Sequence, residues 1–104
     1  LAITDRFVND FKERMRIGDY EDDNLKRILE ASEQDLLSKC GEFDIESHHG
    51  FRELVYERAR YVYNDALEFF NMNFQSQINA LGMEKALSMI LVDADGNEIE
   101  VVQE

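Results

Sequence analysis

Proline and tryptophan are absent from this 104-residue sequence, cysteine occurs once and glycine five times. Without proline and with so few glycines, the chain favours long helices over a turn-rich β architecture. A single cysteine, Cys40, excludes an internal disulfide, and the expected setting is intracellular and reducing. No apolar run approaches the ~18 residues of a membrane span, and no charged-then-apolar segment opens the chain, so a soluble cytoplasmic protein is expected. Basic residues are scarce too: 11 against 23 acids, for a net charge of −12. Binding to phosphates by counterion release needs a basic groove, which such a balance does not supply.

What is present is core material. Seven Phe and four Tyr accompany 44% hydrophobic residues, enough for one small domain. Acidity rises along the chain. Residues 1–40 hold 10 acids and 7 bases, 41–72 hold 7 and 3, and 73–104 hold 6 and 1.

Thr4 stands where an N-cap belongs, with Asp5 in the first turn behind it. Phe7, Phe11 and Met15 form one stripe with Val8 beside it, and Gly18 is expected to end the helix with Ile17 folding back. The acidic run Asp19 to Asp23 lacks the alternating ligand offsets of a calcium loop, so Asp22 or Asp23 is read as the next N-cap. Leu25, Ile28, Leu29, Ser32, Leu36 and Cys40 then make a narrow helical stripe closed by Gly41. Cys40 reads as a small buried hydrophobe, because its neighbours Glu42 and Asp44 oppose a thiolate. Residues 41–50 form a linker anchored by Phe43 and Ile45, and Ser47 is the expected cap of the helix that follows. His48 and His49 are adjacent; on a helix they diverge by roughly 100° and do not chelate one ion together.

The longest uninterrupted pattern runs from Phe51 to Phe74. Phe51, Val55, Ala59, Val62, Ala66 and Phe69 follow one face, and aromatic residues widen it until about two thirds of the circumference is apolar. A single central helix over 51–74 is expected, packed by Phe7, Phe11, Leu25, Leu29 and Leu36. Arg58 and Asp65 intrude on its apolar arc. Phe74, Ile78 and Leu81 suggest a short amphipathic segment ending at Gly82, after which Met83–Met89 continues as helix or becomes strand. Asp95-Gly96, flanked by apolar residues, signals a hairpin. The expected fold is mainly α: a small helical bundle around one long central helix (1–82), with a β-hairpin or flexible tail as a C-terminal extension (83–104).

The order of these parts resembles a known family. Phe11-Lys12-Glu13-Arg14-Met15-Arg16-Ile17 closes a short first helix. Asp22-Asp23-Asn24-Leu25 bridges to Leu25-Lys26-Arg27-Ile28-Leu29-Glu30-Ala31, which runs on to Lys39-Cys40-Gly41 before a linker and a long Tyr- and Ala-bearing helix. Over roughly residues 3 to 82 this resembles the head–tail connector (head-completion, or adaptor) proteins of long-tailed bacteriophages and prophages. The resemblance implies a virion-assembly subunit with no enzymatic step and no cofactor or metal. Its homo-oligomeric ring, typically twelvefold, sits below the portal protein in the virion neck and is assembled in the bacterial cytoplasm. DNA passes through such a ring without specific binding, no membrane is involved, and a stopper or tail-completion protein docks next.

On that reading the subunit interface is expected at Tyr56, Arg58, Tyr63, Asp65, Leu67, Phe70 and Phe74. The portal contact is expected at Leu91, Val92, Ile99, Val101 and Val102. A second reading, from charge alone, is an acidic regulatory or DNA-mimic protein that binds a basic partner. No nucleophile–base pair, phosphate loop or metal-ligand spacing supports an enzyme.

Overall fold

The computed structural model describes residues 3–90, and among them every regular element is helical. Helix α1 spans Asp5–Met15, α2 Asp22–Cys40, α3 His49–Tyr63 and α4 Phe70–Ile90; a 3-10 turn, Leu67–Phe69, joins the last two. Helix α2 is the hub, packing against α1, α3 and α4. The core is drawn from every helix and the linker: Phe7, Phe11, Leu25, Leu29, Leu36, Ile45, Phe51, Val55 and Phe70 are all 0–1% exposed. Burial of side chains this size contributes about 1.5–3 kcal/mol each.

The single helix expected over 51–74 is two helices. The chain leaves α3 at Asn64 and turns through Asp65, whose φ of 57° is left-handed. The Ala66 N–H donates to the Tyr61 carbonyl at 2.8 Å and the Asp65 N–H to Val62 at 3.1 Å. That nested pair is a Schellman motif, which satisfies the last carbonyls of α3. Asp is one of the few side chains that tolerate the left-handed region, so Asn64-Asp65 ends a helix that apolar spacing alone would continue. Helix α4 then folds back. Phe70 and Phe74 stack on each other with ring centroids 5.1 Å apart, and both meet the Tyr61 ring edge-on at 5.7 Å. The aromatic excess of one imagined helix is thus shared between two real ones.

The same device ends α1, three residues before Gly18. Arg16 takes φ 57°, and Ile17 donates to the Lys12 carbonyl at 2.9 Å. Glu21, not Asp22 or Asp23, occupies the N-cap of α2, while both aspartates sit in its first turn and complement the helix dipole. At the other end Gly41 adopts φ 99°, ψ −178°, a region essentially reserved for glycine. A Cβ there would lie 2.6 Å from Lys85 Cγ. Helix α4 does not stop at Gly82 but runs on to Ile90. The hairpin expected around Asp95-Gly96 lies outside the described residues.

Candidate functional site

The residues singled out as an interface fall in three different environments. Tyr56 and Phe70 are 3% and 1% exposed, and the chain itself covers them. Tyr56 stacks 6.1 Å from Phe11, carries the Arg14 guanidinium 4.7 Å above its ring, and reaches Asp10 at 3.5 Å. Burial pushes its phenol up to about 12. Arg58 points into the α2–α3 seam. Its Nε donates to Asp35 Oδ2 at 3.1 Å and its Nη1 to the fully buried Ser32 hydroxyl at 3.1 Å. Asp35 also holds Lys39 at 2.9 Å, one turn along α2.

Tyr63 is half-buried and donates to Glu21 Oε2 at 2.7 Å, a bond that raises its phenol above the ordinary value. Phe74 is half-buried against Tyr61 and Phe70. Asp65 and Leu67 are exposed on the α3–α4 corner. Arg58 thus has its partners on α2, and Asp65 serves the backbone geometry of the turn after α3. Leu91, Val92, Ile99, Val101 and Val102 lie outside the described residues.

Between α1 and α3 a shallow cleft collects Arg6, Arg14 and Arg52 above Tyr56. Each guanidinium is engaged within the chain. Arg14 grips both Glu53 oxygens at 3.0 and 2.8 Å, Arg6 meets Glu46 at 3.3 Å, and Arg52 donates to the Ile45 and Glu46 carbonyls at 3.4 and 3.1 Å. The cleft is a lattice of ties between α1, the linker and α3. His48, rather than Ser47, caps α3. Its Nδ1 accepts the Phe51 N–H at 3.0 Å, so the proton belongs on Nε2, which donates to Glu84 on α4 at 2.7 Å. His49 turns to Arg52 instead, 3.2 Å away. Cys40 is 3% exposed with its thiol 3.8 Å from the Ile78 carbonyl, and burial raises its pKa. No group of three or more His, Cys, Asp or Glu among the described residues is placed to hold a metal ion. No helix among them is long and apolar enough to cross a membrane.

One feature of the surface remains without a use inside the fold. Of the large hydrophobic side chains left exposed among the described residues, all but Tyr20 fall between residues 67 and 89: Leu67, Phe69, Met72, Met83, Leu87 and Met89, at 40–72% exposure. Helix α4 turns Phe70, Phe74, Ile78 and Leu81 toward the core and Met72, Ser76, Ala80, Met83 and Leu87 away from it. Only Glu84 and Lys85 are charged among its 21 residues, whereas eight of the 19 in α2 are. Glu84 pairs with His48, and Lys85 lies 4.8 Å over the Phe43 ring. The outward face of α4 is thus uncharged and partly apolar on a strongly acidic protein. The sequence pattern does not reveal this face, because a helix read through residue 74 takes in residues 70–74 and cuts the α4 pattern in two.

No family model, curated protein or solved structure matches this chain.

Proposed function

We propose that this protein is a structural subunit of a phage head–tail connector. It forms a ring below the portal that extends the DNA channel and offers a platform for neck and tail attachment. The observation that carries the reading is the exposed apolar set on the 3-10 turn and α4, which a solitary chain of net charge −12 has no reason to present. Contiguous exposed apolar surface marks a site of association. The helix order that resembles the connector family supplies the kind of assembly. Acidic surface elsewhere suits a channel component, since it offers DNA no cations to replace its counterions.

The direct test mixes the full chain with portal rings encoded by the same genome and examines the product by sedimentation and electron microscopy. A ring of this chain seated on the portal is the expected result. Portal rings that remain bare at every mixing ratio would overturn the proposal. Displacement of DNA from a basic nuclease or repressor would favour the acidic-mimic reading in its place.

A further inference from the structure

We infer that the outward face of α4 is a docking site for a second copy of this chain, laid antiparallel about a two-fold axis beside Asn79 and Ala80. The inference stands on the α4 surface and does not depend on the connector reading.

Charge selects the occupant. At net −12, two copies repel each other over most of their surface. Helix α1 carries six charged residues in 11 and α2 eight in 19, so neither offers a quiet approach. On α4 the only two charges, Glu84 and Lys85, are opposite in sign and are directed to the chain's own His48 and Phe43, off the outward face. A basic partner would find no acid there to pair with.

Register points the same way. In a two-fold contact residue i meets j and j meets i. On α4 that relation places Met72 against Leu87 of the partner subunit, Ser76 against Met83 of the partner subunit, and Asn79 against Ala80 of the partner subunit. Large side chains meet at the ends, a small residue receives each inner methionine, and the smallest side chains lie near the axis where the helices approach most closely. Met72, Met83 and Leu87 are 72%, 64% and 54% exposed in the single chain, so each has surface to lose.

The area fits a reversible pair. Twenty-one residues of α4 span about 31 Å, and half the surface of a helix ~11 Å wide is roughly 500 Å². Two such faces bury about 1,000 Å², the lower bound of a specific interface. A dissociation constant in the micromolar range is expected. A two-fold pair closes on itself and does not extend into a ring. It is therefore a state of the free chain, which must open before this face can serve a larger assembly.

Sedimentation equilibrium of the full chain tests the pair, and crosslinking tests its register. Monomer–dimer exchange is expected, with Met83→Glu weakening it by at least about tenfold through two carboxylates in the contact while helical circular dichroism is unchanged. Met72→Cys and Leu87→Cys proteins, each alone, should resist a short bis-maleimide, because equivalent positions lie about 22 Å apart along the antiparallel pair. Mixed together, they should crosslink. The buried Cys40 makes the unmodified chain the blank. A chain that stays monomeric across the concentration range overturns the inference, as does undiminished pairing of the Met83→Glu protein. Crosslinking of each variant alone as readily as the mixture refutes the antiparallel register. Portal binding by a strictly monomeric chain would leave the connector proposal standing and remove this one.

Discussion

Replacing Asp35 with alanine isolates what the α2–α3 seam contributes. Asp35 and Arg58 meet at 3.1 Å with side chains 27% and 14% exposed, between a surface pair and a buried one. Breaking fully buried pairs costs about 3–5 kcal/mol, and exposed pairs contribute about 1 kcal/mol or less. An intermediate loss of about 2 kcal/mol is expected, because Asp35→Ala leaves the Arg58 guanidinium in the seam with only the Ser32 hydroxyl. The Lys39 contact adds about 0.3–0.5 kcal/mol to the loss, and the better helix propensity of alanine offsets a similar amount. The net figure corresponds to a fall in Tm of about 10 °C for a domain of this size. Arg58→Met should cost less, about 1 kcal/mol. Methionine fills the seam, Asp35 keeps Lys39, and the Ser32 hydroxyl can turn to a carbonyl of its own helix. Thermal unfolding followed by circular dichroism measures both, repeated over roughly a tenfold range of protein concentration. Equal stability of the two variants would show that Arg58 does not depend on Asp35. A penalty that grows as concentration rises would place the partner of Arg58 in another subunit.

Alkaline pH should unfold the protein through Tyr56. Its folded pKa of about 12 lies above the unfolded value of 10, so the neutral phenol's contribution is complete below pH 10 and is lost as pH rises toward 12. The loss is about 2–3 kcal/mol, and Tyr56→Phe should flatten that limb of a urea-denaturation pH series; an unchanged slope refutes the assignment. Gly41→Ala should destabilise by about 1–3 kcal/mol, since it combines a forbidden backbone region with a clash at Lys85 Cγ. Gly82→Ala should do the reverse by about 0.5–1 kcal/mol, because the nearest atom to a new Cβ, the Lys39 carbonyl oxygen, is 4.0 Å away. Urea midpoints that move both variants in the same direction would contradict the two glycine environments. His48→Ala should cost about 1 kcal/mol as the α3 cap is lost, and His48→Asn should recover most of it; equal midpoints for the two would remove the cap from the account.

Much of the helical plan is legible in the sequence because it is local. The stripes through Phe7 and Phe11, and through Leu25, Leu29, Leu36 and Cys40, are fixed by the 3.6-residue period, and those side chains are the buried ones. Gly41 after Lys39 announces the end of α2, since few other residues tolerate that turn. The end of α3 is not marked in the same way. Asp65 intrudes on the apolar arc just as Arg58 does without ending the helix, and its turn depends on a left-handed residue whose cost is offset by α4 packing back on Tyr61.

The candidate surface depends on that turn. With 51–74 taken as one helix, the aromatic flank is a surplus seeking a neighbour. With the chain reversed at Asp65, Phe70 and Phe74 close against Tyr61, and the exposed apolar surface passes to Met72, Met83 and Leu87. Composition and periodicity set that the chain is mainly helical and which stripes of α1 and α2 are buried. Tertiary structure alone decided which apolar face is left over, because that depends on the path between helices, and one left-handed aspartate sets the path.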